Sequence, residues 1–130
     1  MSKAIAAMIG IFLVGHGIIT LLFEGNHFLL FNTDVLLDFV HLATGGLLLF
    51  VSRERVSGAL TSLALWAVAA LSILLGAWGL ADQHLMGLLP TGLAPGDYAI
   101  FFGFGAVAAL GAILPHPERP IWHEAPPQPS

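Results

Sequence analysis

The sequence contains no cysteine and only four basic residues, and both shortages exclude classes of function. Without cysteine there can be no disulfide, no thiol redox chemistry, no iron–sulfur cluster and no cysteine-ligated zinc. Four lysines and arginines are too few for the basic patch that nucleic-acid binding requires. Charged residues of both signs make up only 9% of the chain, whereas a soluble domain carries ~25%, so the polar surface is too small to cover a water-facing globule.

Apolar residues are abundant instead, at 57% of 130 residues, and they fall in four runs. A helix rises ~1.5 Å per residue, so each run covers all or most of a hydrocarbon core ~30 Å thick. The sequence therefore predicts one all-α integral membrane domain, residues 1–114, folded as an up-down bundle of four transmembrane helices. The predicted spans are about 4–23, 35–51, 58–80 and 98–114.

The distribution of charge predicts the orientation of this bundle. With four spans, every basic residue falls on the same side of the membrane, and cytoplasmic loops carry an excess of lysine and arginine. Both termini are therefore predicted to be cytoplasmic. The acidic residues of the opposite loops are expected to be solvated. The basic set is Lys3, Arg53, Arg55 and Arg119, and the opposite acidic set is Glu24, Asp34, Asp82 and Asp97.

The end of the chain differs in composition from the spans. Residues 115–130 contain six of the eight prolines, which favours an extended polyproline conformation. This cytoplasmic tail is predicted to contact a partner chain, with Pro115 and Trp122 as the candidate contact residues.

Polar residues form one stripe on each of the first two spans. His16 and Thr20 are four residues apart on the first, and Asp38 and His41 are three apart on the second, so each pair shares a helix face. In an antiparallel hairpin the two histidines lie at about the same depth, ~10 Å inside the outer boundary. A charge at the bilayer centre costs ~3 kcal/mol on insertion scales, so the two stripes are predicted to face each other.

Three roles fit these four residues. The commonest is a hydrogen-bonded clasp between the helices, in which Asp38 accepts from His16 or His41; such bonds contribute ~0.6 kcal/mol each but fix the register. The second is cofactor binding, with the histidines as both axial ligands of a haem, or as one ligand each to chlorophyll-type pigments. The third is a proton or ion path, although the inner halves of the spans are apolar.

Small residues on the spans predict close helix packing, which depends in lipid on near approach of the backbones. No motif for zinc hydrolysis, nucleotide binding or a serine nucleophile is present, so we expect neither an enzyme nor a metal site. The candidate packing positions are Gly10, Gly45, Gly46, Gly76 and Gly105.

Residues 40–47, VHLATGGL, resemble the second helix of a bacterial family of four-span membrane proteins, a domain of unknown function with a motif close to H-L-x-T-G. The similarity extends over about residues 7–114 and includes IGIFLVG at 9–15. Where that family tends to have a histidine early in the last helix, this chain has Phe101 and Phe102. The resemblance implies a bacterial four-helix membrane protein and brings no activity with it.

Together these observations favour a small protein of the bacterial inner membrane that acts as a non-enzymatic accessory or scaffolding subunit. Its expected partners are the lipid bilayer and other subunits of a larger membrane complex. The alternative is a subunit of a photosynthetic or respiratory complex that binds haem or a chlorophyll-type pigment through His16 and His41.

Overall fold

A computed structural model of the chain describes residues 1–24 and 30–114, and these residues form four α-helices with no strand among them. The predicted all-α fold is confirmed. The tail residues Pro115 and Trp122 lie outside the described residues. The helices are α1, Ser2–Leu22; α2, Val35–Val51; α3, Gly58–Ala81; and α4, Pro95–Ile113.

Hydrogen bonds at the two ends of α1 show that α1 and α2 run in opposite directions. Near the start of α1, the Lys3 ammonium group donates to the carbonyl oxygen of Val56, 2.6 Å away in the turn after α2. Near the end of α1, Thr20 contacts Asp38 in the first turns of α2, at 2.5 Å. We call the end with Lys3 the basic end, and the end with Glu24 and the first turn of α2 the acidic end.

The second hairpin is antiparallel in the same way. Tyr98, early in α4, donates to the carbonyl oxygen of Gly79, late in α3, at 2.7 Å. At the basic end, the Ser62 hydroxyl donates to the carbonyl oxygen of Ala112 at 2.5 Å. The bundle is therefore up-down, as predicted.

The surface of the bundle is apolar enough to lie in a membrane. Leucines such as Leu22 and Leu80 expose more than two thirds of their surface, at 78% and 71%. Among the described residues, α1, α3 and α4 are long and apolar enough to cross a membrane. The 17-residue α2 is apolar but shorter, and its crossing stays a prediction. The protein is thus a helical membrane bundle.

The last helix begins earlier than the sequence predicted, at Pro95 instead of Tyr98. Proline fits the first helical position because its missing N–H would have no partner there. The Asp97 carboxylate accepts the N–H of Ala94 at 2.8 Å. In a capping box this is the bond from the N-cap N–H to the side chain of the third helical residue. The predicted loop therefore ends at Ala94.

Close backbone contact joins α1 to α2 at two glycines. A Cβ at Gly45 would lie 2.9 Å from the backbone nitrogen of Val14, and a Cβ at Gly10 would lie 2.9 Å from the carbonyl oxygen of Gly45. The prediction that Gly46 joins this contact is wrong for the described part of the chain. Gly46 is exposed with nothing within 4 Å of its Cβ position, because successive side chains turn by ~100° around a helix.

The two packing glycines predicted in the second hairpin lie at its interface. A Cβ at Gly76 would lie 2.9 Å from the ring of Phe102, and one at Gly105 would lie 3.0 Å from the side chain of Ile73. These neighbours are side-chain atoms, whereas Gly10 and Gly45 meet backbone. A side chain at Gly10 or Gly45 would therefore meet backbone atoms, which cannot rotate away.

The adjacent glycines of α2 supply a matched test of this contact. We expect Gly45→Ala to lower the free energy of unfolding by about 1–3 kcal/mol, because the added methyl group meets backbone atoms that cannot rotate away. Gly46→Ala is expected to raise it by up to about 1 kcal/mol, through helix propensity alone. Thermal unfolding in detergent measures both, and equal effects of the two substitutions would contradict this packing.

Candidate functional site

The predicted polar stripes of α1 and α2 face each other near the acidic end. Thr20 and Asp38 are buried, and the Thr20 hydroxyl oxygen lies 2.5 Å from one carboxyl oxygen of Asp38. The same hydroxyl lies 2.9 Å from the carbonyl oxygen of His16, one turn earlier in its own helix. This bridge is a direct polar contact between the two helices, and the partner of Asp38 in it is Thr20 instead of the histidines that the sequence suggested.

The two histidines meet each other instead. The ring centroids of His16 and His41 are 5.0 Å apart and the rings are inclined at 71°. Phenyl rings surround the pair: Phe31 lies edge-on to His16 at 4.7 Å, and Phe101 lies 6.0 Å from His41. His41 is only 2% exposed, so its ring is enclosed in protein.

Several polar atoms of this cluster have no hydrogen-bond partner among the described residues. They are Nε2 of His16, both ring nitrogens of His41 and the second carboxyl oxygen of Asp38. Buried polar groups are normally paired, so four unpaired atoms in one cluster call for an explanation. We call His16, Thr20, Asp38 and His41 the histidine–aspartate cluster.

The geometry of the histidine–aspartate cluster suits neither a haem nor a metal ion. Two axial imidazoles hold the iron and its macrocycle between them, but the rings of His16 and His41 touch edge to face. A macrocycle therefore does not fit between them in this arrangement. Within residues 1–24 and 30–114, no three histidine or acidic side chains are grouped to hold one metal ion.

A second polar cluster, which we call the aspartate latch, joins the loops of the acidic end. Asp97 is fully buried, and one of its carboxyl oxygens accepts the N–H groups of Asn32 at 2.9 Å and of Ala94 at 2.8 Å. Next to it, the N–H of Gly96 donates to the carbonyl oxygen of Leu30 at 2.8 Å. The segment before α2 is thereby bound to the first turn of α4.

Asp34 completes the latch by holding the loop before α4. Its Oδ2 accepts from the amide side chain of Asn32 at 2.8 Å, and from the N–H and hydroxyl of Thr91 at 3.1 and 2.9 Å. The Asn32 side-chain amide also donates to the carbonyl oxygen of Gly92. Three separate segments thus converge on two carboxylates.

The expectation that the acidic loop residues are solvated is wrong for Asp34 and Asp97. They are 8% and 0% exposed. Protein donors take the place of water at Oδ2 of each carboxylate, while Oδ1 of Asp97 is buried without a hydrogen-bond partner among the described residues. A sequence signal was present: Asp34 stands at the N-cap of α2, and Asp97 is the third residue after the Ala94 N-cap. Asn32 and Thr91 gave no comparable signal, because their partners are distant in sequence.

Asp82 behaves differently, since it shapes a loop at the surface. Its two carboxyl oxygens accept the N–H groups of His84 at 3.0 Å and Met86 at 2.7 Å, and these bonds lower the pKa of Asp82. A carboxyl group with a lowered pKa stabilises the fold above its unfolded pKa and loses that effect as pH falls through the folded value. Leu85 and Met86, at φ 47° and 59°, occupy the left-handed region within this loop.

The Thr20–Asp38 contact can be tested against a threonine that makes the same bond within its own helix. Thr44 contacts the carbonyl oxygen of Val40 at 2.6 Å and makes no bond to another helix in the described chain. We expect Thr20→Val to lower the free energy of unfolding by about 1–2 kcal/mol and Thr44→Val to change it little. Denaturant titration in detergent measures both changes in the free energy of unfolding. Equal changes for the two substitutions would show that the contact between Thr20 and Asp38 does not stabilise the fold.

The aspartate latch has its own control in Asp82, which also accepts two backbone N–H groups. We expect Asp97→Ala to lower the free energy of unfolding by about 2–4 kcal/mol, because two buried N–H groups lose their acceptor. Asp82→Ala should cost less, since water replaces the carboxylate there. Amide hydrogen exchange at Asn32 and Ala94 should speed up only in the Asp97 variant; protection unchanged at both amides would contradict the latch.

Comparison with known proteins was negative in each form: no family model, no curated protein and no solved structure matches the chain. The resemblance of residues 40–47 to a bacterial four-span family stays a prediction.

Proposed function

We propose that the protein is an accessory or scaffolding subunit that packs against a larger protein of the same membrane. The observation that carries this proposal is a set of helical glycines on the outside of the bundle. At Gly15, Gly46 and Gly103, a Cβ would meet nothing within 4 Å among the described residues. Packing within the described bundle therefore leaves room for a larger residue at each of these positions.

An unused glycine in the middle of a helix carries a cost. Relative to alanine, glycine destabilises a helix by roughly 0.5–1 kcal/mol, because it loses more backbone freedom on folding. In membranes, small residues allow the backbones of two helices to approach closely, which is how helices associate without a hydrophobic driving force. Close contact with a second protein would account for glycine at these positions.

The outward side of α2 is the best candidate for this contact. Ala43 and Gly46 are exposed there, between two exposed rings, Phe39 at 59% and Phe50 at 52%. Small residues between the two rings would allow a ridge of another helix to approach the backbone of α2 closely. We call Phe39, Ala43, Gly46 and Phe50 the outer face of α2.

The same proposal includes a location in the bacterial inner membrane with both termini in the cytoplasm. Lys3 and the turn that follows α2, with Arg53 and Arg55, lie together at one end of the bundle. If that end is cytoplasmic, as the positive-inside rule predicts, both termini face the cytoplasm of a bacterial inner membrane. The non-enzymatic role is proposed because four carboxyl groups each hold a loop or a helix in place; they belong to Asp34, Asp38, Asp82 and Asp97.

The proposal is tested by crosslinking in native membranes. A photoreactive residue at Ala43 should give one discrete protein adduct, whereas the same residue at Leu74, which is 67% exposed on α3, should give lipid adducts. Gly46→Leu should abolish the protein adduct and reduce the size of the complex in mild detergent. Ala70→Leu, which adds the same bulk to an exposed position of α3, should leave both unchanged.

Two results would contradict the proposal. One is the absence of any protein adduct at Ala43, and the other is a complex whose size is the same with and without Gly46→Leu. Truncation after Leu114 distinguishes a contact made by the outer face of α2 from one made by the tail. If truncation alone releases the partner, the contact belongs to the tail, which contains Pro115 and Trp122.

A further inference from the structure

We propose that the histidine–aspartate cluster is a buried binding site for a single proton, which is held either by Asp38 or by the imidazoles of His16 and His41. The site is loaded from the acidic end of the bundle. This inference is independent of the proposed packing against another protein.

The first argument is the hydrogen count at Thr20. Its hydroxyl lies within hydrogen-bond distance of three oxygens: the carboxyl oxygen of Asp38 at 2.5 Å and the carbonyl oxygens of His16 at 2.9 Å and Gly17 at 3.4 Å. A hydroxyl group has one hydrogen to donate and can accept others. If Asp38 carries a proton and donates it to Thr20, the hydroxyl hydrogen of Thr20 is free to bond a carbonyl oxygen, and both contacts are full hydrogen bonds. The geometry therefore has a place for one proton on this carboxyl group.

The second argument is the spacing of the two imidazoles. Two imidazoles that share a proton need about 2.9 Å between their nitrogens, plus the distance from each nitrogen to its ring centre. The 5.0 Å between the centroids of His16 and His41 matches that requirement. Nε2 of His16 and both ring nitrogens of His41 have no hydrogen-bond partner among the described residues, so these nitrogens are available for a shared proton.

The third argument is the charge around the cluster. The charged residues that the structure describes at the acidic end are all acidic: Glu24 follows α1, Asp34 precedes α2, Asp82 follows α3, and Asp97 lies in the first turn of α4. The part of α3 that the structure describes contains no titratable residue. The described basic residues lie at the opposite end. Surroundings of this kind favour a proton and disfavour an anion.

The proton balance of the step is simple. One proton enters and binds to a carboxylate oxygen of Asp38 or to a ring nitrogen of the histidine pair, and the charge of the cluster changes from −1 to 0. A second proton would leave a net positive charge enclosed by Phe31 and Phe101, which is costly in an apolar environment. The cluster should therefore titrate once.

The site binds a proton without carrying it across the bundle. Toward the basic end, the buried residues around Leu13, Leu48 and Leu65 form an apolar core. Within residues 1–24 and 30–114, buried polar groups appear again only at the basic end, where Thr61 donates to the carbonyl oxygen of Val51 at 2.7 Å. A proton that enters from the acidic end therefore leaves by the same end.

The test is a nuclear magnetic resonance titration of the full chain in detergent, between about pH 4 and pH 9, with labelled histidine and aspartate. We expect the imidazole signals of His16 and His41 and the carboxyl signal of Asp38 to shift with one shared midpoint. Asp38→Asn should lower the proton affinity of the histidine pair at least tenfold, because the counter-charge is lost.

Separate midpoints for the three residues, or no titration of any of them in this range, would overturn the proposal. The shared midpoint is measured in the unsubstituted chain, so it stands even if Asp38→Asn fails to fold. A midpoint of the histidine pair that Asp38→Asn leaves unchanged would equally overturn it, since the proton would then not be shared with Asp38.

Discussion

The contact between Thr20 and Asp38 is the interaction on which the arrangement of the acidic end depends. It fixes the register of α1 on α2, and that register places His16 against His41. One such bond contributes only modestly to stability in a membrane. Its importance is geometric. The glycines at the backbone contact allow the helices to come close but leave them free to slide along each other. A buried carboxyl group with a single partner prevents this sliding.

The aspartate latch extends this constraint from one hairpin to the other. Asn32 belongs to the connection between α1 and α2, and Asp97 belongs to α4, so their bond joins the two hairpins at the acidic end. At the basic end, the hydroxyl of Ser2 reaches the carbonyl oxygen of Leu114 at 3.4 Å. Between these ends the hairpins meet through apolar side chains, which set no register by themselves. The polar contacts therefore supply the specificity that an apolar interface lacks.

Much of this could be read from the sequence, and the failures have physical causes. Hydrophobic run lengths gave the helices, and helical spacing placed His16 opposite His41, because both signals are local. The burial of Asp97 was missed because its partner, Asn32, is 65 residues away. The outward direction of Gly46 was missed because adjacent glycines look alike until the register of α1 on α2 is known. Long-range hydrogen bonds and the rotation of a helix are set by tertiary contacts, which no single stretch encodes.

Both the proposed proton site and the proposed contact with another protein involve α2, because this helix carries different side chains on its two sides. Asp38, His41 and Gly45 face α1, while Phe39 and Gly46 face outward. The close backbone contact at Gly45 holds α2 against α1, so α2 cannot move away there without losing packing. A change of charge at Asp38 acts on one side of this helix, and a bound partner would act on the other. Because α2 has only 17 residues, the histidine–aspartate cluster and the outer face of α2 lie within a few turns of each other.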